Sequence, residues 1–191
     1  LKKICSYEGQ SKPKPGASTE NLQRLVPPIG KLIDAARKRK IPIIYAEFVQ
    51  RMLTGESTLN GPNIYCHRNA DEVPEILEGS DEGKTVDELA PEEGDVIIYK
   101  TRASAFYFTE LDGILKESGI RSLVHTGLLS SGCVLFNACD AMQRGYYPVI
   151  PRECIGTYDL EDHERVMGWM KNKFPIFGLD EILTAWASRG R

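Results

Sequence analysis

Cys133 and Lys100 are the residues of this chain whose types and positions could do chemistry. Cys133 follows Gly127-Leu128-Leu129-Ser130-Ser131-Gly132, a stretch that runs from the end of an apolar, strand-like segment into a helix-like one. Helix starts leave backbone N–H groups unpaired and carry partial positive charge, so a cysteine there is favoured as a thiolate and an oxyanion can be held beside it. Lys100 directly follows the apolar run Val96-Ile97-Ile98-Tyr99. Its stem is expected against the sheet end, with its ammonium facing the edge that carries Cys133. A cation near a thiol stabilises negative charge on sulfur and can later stabilise a developing anion. Taken alone, each residue has a plainer reading, Cys133 as a small core residue and Lys100 as a surface lysine opening a loop. Together, at the ends of neighbouring strands, they point to nucleophilic catalysis.

The elements that must position this pair alternate along the chain. Apolar residues from Leu22 to Ala36 recur at helical spacing over 20–40, with Pro27-Pro28 marking a kink or a late helix start. Ile41-Pro42-Ile43-Ile44-Tyr45-Ala46 reads as a strand buried on both faces. Residues 1–18 read as a loop, and Gln50 to Glu93 as a long, acidic, turn-rich segment of the kind that carries binding loops. Strands are then expected at 96–99, 122–126 and 147–150, with a short one at 174–177. Helices are expected at 109–118, 131–144, 159–173 and 179–187. This alternation predicts an α/β fold, a three-layer open parallel sheet with helices on both faces. Sites in such sheets lie beyond the carboxyl ends of strands, where Lys100, Gly127 to Cys133 and Glu153 fall.

Composition excludes several functions. The 191 residues carry 24 basic and 27 acidic side chains, a net charge of −3 with no broad basic field for nucleic acid. The basic run Arg37-Lys38-Arg39-Lys40 closes a predicted helix, where cations complement the dipole. Five cysteines, Cys5, Cys66, Cys133, Cys139 and Cys154, form no CxxC pair, which argues against a disulfide framework and a zinc knuckle. Cys133 and Cys139 on one helix would stand roughly 9 Å apart, too far for a redox pair. Neither GxGxxG nor GxxxxGK[ST] occurs, so a nucleotide-binding reading is disfavoured. No apolar run suits a membrane span and no signal pattern opens the chain, so a single cytoplasmic domain over 1–191 is expected.

Lys100-Thr101-Arg102-Ala103-Ser104-Ala105-Phe106, then Thr109 and Leu111, then Gly127 to Cys133-Val134, Asp140-Ala141 and Gly145-Tyr146, together resemble the motifs of the isochorismatase-like cysteine hydrolases. This family includes nicotinamidases, N-carbamoylsarcosine amidases, and biuret and ureidoacrylate hydrolases. Ala35-Ala36-Arg37 followed by Ile41-Pro42-Ile43-Ile44-Tyr45 is similar to the family's first helix and second strand. The resemblance implies Cys133 as nucleophile, Lys100 as the family's lysine, and a cis peptide at Leu128-Leu129 that aims the Leu129 and Cys133 N–H groups at an oxyanion. It implies hydrolysis of a small amide or ureide through a thioester, with no cofactor, in a homo-oligomer. Phe106 and Ser104 are candidate pocket walls, with core packing the alternative for Phe106.

The chain departs from this pattern in two places. The family's catalytic aspartate, at the end of a first strand, is not found. Cys5-Ser6-Tyr7-Glu8-Gly9 looks like the segment just after it, which places the aspartate immediately before Leu1. Either that strand precedes residue 1 or the residue is lacking, and the strand edges its loss would expose favour the former. Glu47 is an in-chain carboxylate that could substitute, although a solvent position at a strand end is the expected reading. The nicotinamidase metal ligands are not matched either. Cys66, His67 and Asp71 lack convergent spacing, and His125 and His163 read as satisfied structural histidines, so no metal is expected. The rival reading is a non-catalytic member of the same fold that binds a small molecule or a partner.

Overall fold

A computed structural model describes residues 20–49, 79–80 and 83–188. Helix α1 (Glu20–Gln23) is one turn, and α2 (Val26–Lys38) begins with its prolines in the first turn, where no intrahelical N–H is needed. The basic run closes α2 as expected, and Arg37 also reaches Asp95 and Glu92, each at 2.7 Å. Strand β1 (Ile44–Phe48) pairs in parallel with β2 (Val96–Lys100). The helix α3 (Leu111–Glu117) ends before Gly119, whose φ of +64° turns the chain into β3 (Ser122–Val124).

Beyond β3 come β4 (Gly127–Leu128), a wide π-type turn over Ser130–Val134, and α4 (Leu135–Gln143), which ends before Gly145 at φ +86°. Strand β5 (Tyr147–Pro151) lies between β3 and β7 (Ile176–Phe177), all parallel. The short β6 (Ile155–Gly156) pairs with β4. Helix α5 (Leu160–Met170) is capped by Asp159, whose carboxylate accepts from the Glu161 and Asp162 N–H groups. Helix α6 (Leu179–Ser188) completes the described chain.

Successive strand residues point to opposite faces, and β5 shows what each face meets. Val149 packs on the cluster of Leu25, Ile29, Leu32 and Ile182 from α2, α6 and the residue before α2. Its neighbour Ile150 belongs to the cluster of Ala138 and Met170 from α4 and α5. Helices therefore cover both faces, as the strand–helix alternation predicts. A third cluster joins Ile98, Phe106, Leu111, Leu115 and Ala141 between β2, α3 and α4.

Three expectations about elements need correction. The first strand is three residues later than its apolar run, and it is not buried on both faces, because Ala46 is exposed. Among the described residues β1 pairs only with β2, and β3 only with β5, so their facing edges bound an open slot. Lys100 is the last residue of β2 rather than the residue after it. Finally, 131–144 is not one helix: Gly132, at φ −131° and ψ −111°, breaks the helical path between Ser131 and Cys133. Residues 1–18 and most of the 50–93 segment, with Cys5, Cys66, His67 and Asp71, lie outside the described residues.

Candidate functional site

Lys100 reaches the site because it ends a strand whose neighbours fix its stem. Its side chain is 2% exposed, and its ammonium donates to Arg102 O and Ala103 O, both at 3.0 Å. The third donation, also 3.0 Å, goes to Cys133 Sγ. The Phe48 ring lies 5.0 Å from Nζ and adds a cation–π contact. A buried ammonium is costly unless its charge is balanced, and two carbonyl dipoles are partial compensation. The sulfur of Cys133 is the third polar atom that the ammonium meets.

Cys133 is presented by the π-type turn. The peptide Leu128-Leu129 is cis, as the resemblance implies, and Leu129 O accepts from the N–H groups of Gly132 and Val134. The sulfur is half-buried and free. Asn137, one helical turn further on, ties this turn to the loop after β2. Its Nδ2 donates to Cys133 O at 2.9 Å and to Ala103 O at 3.4 Å, while its Oδ1 accepts from Ala105 N at 2.9 Å. Ala103 O therefore receives both Lys100 and Asn137. Sequence reasoning missed Asn137, although its i+4 spacing from Cys133 was a usable signal.

A slot of about 620 Å³ opens beside the pair. Its sides are β1, through Ile44 and Ala46, and β3, through Leu123 and Val124. Ile33 and Ala36 of α2 and Leu111 and Leu115 of α3 also line it, and Lys100 and Cys133 stand at its rim. Of the candidate walls, Phe106 lines this slot while stacking on Tyr146 at 5.8 Å in the core, so it is both wall and packing. Ser104 is buried, and its Oγ accepts from Phe106 N inside the loop. The Asp140-Ala141 and Gly145-Tyr146 matches serve the core: Ala141 is buried, and Tyr146 donates to Asp112 Oδ1 at 2.9 Å.

The remaining titratable residues sort by their bonds. Glu47 is buried rather than solvated, and Thr85 occupies its Oε1 through both N–H and hydroxyl at 3.3 and 3.2 Å. Glu153 lies at the strand ends as expected, yet its Oε2 accepts from Leu179 N and so starts α6. His163 is buried and satisfied, its Nδ1 lying 3.0 Å from Ser130 Oγ. His125 departs from expectation: its Nε2 is sealed without a hydrogen-bond partner among the described residues, and burial pushes its pKa down to about 4. Among the described residues no cluster of three metal-ligating side chains occurs, and no helix is long and apolar enough to cross a membrane.

The isochorismatase domain family model matches residues 3–178. An N-carbamoylsarcosine amidase of Arthrobacter sp is 32% identical over 139 residues, covering 73% of this chain and 52% of that protein, so the chain spans about half the length of that relative. A ureidoacrylate amidohydrolase, RutB of Agrobacterium fabrum, is 30% identical over 159 residues, covering 78% of this chain and 70% of its own. Among solved structures, N-carbamoylsarcosine amidase from Thermoplasma acidophilum matches with a TM-score of 0.66 at 26% identity, over 85% of this chain and 87% of the other.

Proposed function

This chain belongs to the isochorismatase family, and on that premise we propose that it is a cysteine-dependent amidohydrolase cleaving the C–N bond of a small amide or ureide through a thioester. The observation that carries the reading is the 3.0 Å contact between a buried ammonium and Cys133 Sγ at the rim of a slot. The names of the amidase relatives support the substrate class.

A carboxylate takes the Cys133 proton, and the thiolate attacks the carbonyl carbon. As the C–S bond forms, the carbonyl electron pair moves to oxygen, where the N–H groups of Leu129 and Cys133 hold it. The C–N bond then breaks, and the nitrogen leaves as ammonia or amine with the proton from the carboxylate. Water attacks the thioester and gives one proton to the carboxylate, which returns it to sulfur as the C–S bond breaks. Lys100 balances the negative charge that resides in turn on sulfur and carboxylate.

We assign this role to the aspartate that the family resemblance implies ahead of Cys5-Ser6-Tyr7-Glu8-Gly9. Two observations support that assignment. The slot is walled by two strands whose facing edges are unpaired among the described residues and by apolar faces of two helices, the surroundings of a strand buried on both faces. Moreover, among the described residues the bonded partners of the Lys100 ammonium are two carbonyls and a sulfur, with no carboxylate among them. This second observation also favours the rival reading, a small-molecule binder without turnover.

A panel of small amides and ureides, including N-carbamoylsarcosine and ureidoacrylate, assayed for ammonia release tests the proposal on protein extended through the preceding strand. Turnover that disappears in Cys133→Ser supports it, whereas binding without ammonia release establishes the binder. A homo-oligomer is checked by light scattering, where a monomer mass rules it out.

A further inference from the structure

The Ser130–His163 pair is a buried polar link between α5 and the nucleophile's turn that the proposed chemistry does not use. Ser130 is completely buried, directly after the cis peptide and three residues before Cys133. Its Oγ lies 3.0 Å from His163 Nδ1. Apolar side chains of the same elements pack beside it: Val134, Ala138, Ile155 and Met170 form one cluster, with Val166 and Met167 packed against it. Burying a hydroxyl and an imidazole in such a place is unfavourable unless each satisfies the other, so the bond selects one placement of the turn. Apolar side chains can slide past one another at little cost, whereas a 3 Å bond cannot.

The elements that flank the turn on this side are short. β4 and β6 pair over two residues each, and Gly132 breaks the helical path between Ser130 and Cys133. Asn137 holds the other end, at Cys133 O. We propose that His163 is a positioning residue that, through Ser130, sets the turn so that Cys133 Sγ stays within reach of the Lys100 ammonium. Charged groups that act on the imidazole are Arg24, Asp162 and Glu164, and burial holds it toward the neutral form. The bond survives either protonation state with its donor reversed, because the hydroxyl both donates and accepts. Substitution rather than pH is therefore the test.

The inference concerns the reactivity of Cys133 and holds whether or not an amide is turned over. The readout is the rate at which iodoacetamide alkylates Cys133 in the folded chain near neutral pH, followed by mass spectrometry of the Cys133 peptide, with Cys139 as internal control. Ser130→Ala and His163→Leu are each expected to slow Cys133 at least about tenfold, since displacements of an ångström at a reacting group have effects of this size or larger. Cys139 is expected to stay within about twofold, and the double variant to be no slower than the worse single one. His163→Asn, whose amide can replace Nδ1, should restore the rate to within about threefold of the unsubstituted chain. If Ser130→Ala, which only deletes a hydroxyl, leaves the Cys133 rate unchanged, or if the two single losses multiply in the double variant, the assignment is wrong. A lowered melting temperature with unaltered Cys133 alkylation overturns it equally, because that is what a merely structural bond would give. Reactivity that depends on His163 in a protein that releases no ammonia would leave this inference standing and defeat the hydrolase reading.

Discussion

Cys133 and Cys154 are the same residue type in two regions built for opposite ends. Cys154 sits in the short 3₁₀ turn after β5, with no exposed surface, packed in the cluster of α2 and α6. Burial first, and the nearby Glu153 charge second, push its thiol up to about 12. Cys133 stands at the rim of a slot, half-buried, with an ammonium 3.0 Å from its sulfur and its carbonyl held by Asn137. Both lie a few residues beyond the carboxyl end of a strand, β4 for Cys133 and β5 for Cys154. The difference is what faces the sulfur: apolar side chains in one region, a buried cation in the other. A thiol in hydrocarbon stays neutral and inert, whereas one beside a cation can carry charge and attack.

The comparison can be broken most directly by exchanging functions. Cys133→Ser is expected to lower ammonia release by about a thousandfold or more, because a neutral hydroxyl is a far weaker nucleophile in a site arranged for sulfur. Cys154→Ser should leave turnover within about threefold, measured on the same substrate. Comparable losses in both variants would remove the distinction.

His125 extends the contrast to a second group that burial holds neutral. Its pKa lies near 4 in the folded protein against an ordinary 6.5, so the unfolded chain binds more protons between those values. Stability that is complete above pH 6.5 should therefore fall as pH drops toward 4, by roughly 3 kcal/mol in all. Denaturant titrations at pH 7 and pH 4 of the chain and of His125→Phe measure this part, which the variant should lack.

Lys100→Met tests the cation itself. A loss of about a hundredfold in turnover is expected, comparable to removing one preorganised group that meets developing charge. Alkylation of Cys133 should slow while that of Cys154 stays negligible until the chain unfolds. Asn137→Ala is the mildest case. It frees Cys133 O and loosens the loop at Ala103 and Ala105, and an approximately tenfold loss in kcat with KM little changed is expected. An Asn137→Ala enzyme with full kcat would show that β2 and the turn hold the pair unaided.

Much of this was legible in the residues, and the limits have physical causes. Helix α2 was visible because its apolar stripe and basic end are local patterns, and the stops of α3 and α4 because Gly119 and Gly145 mark them. Strand β1 was misplaced by three residues because Ile41-Pro42-Ile43 carries the apolar signal while the ladder to β2 begins only at Ile44. The break at Gly132 was hidden, since glycine in a helical pattern does not announce which φ and ψ it adopts. Glu47 read as solvated because its partner, Thr85, is remote in sequence.

The sequence by itself determined the alternation of strands and helices and the placing of Lys100 and Cys133 at strand ends, because these follow from periodicity and breakers within a few residues. Only the tertiary structure decided that the ammonium meets the sulfur, that Asn137 and His163 bond to the turn, that Cys154 serves the core and that Glu153 starts α6. Those outcomes depend on contacts between residues as much as 33 or 34 apart, which no local pattern encodes.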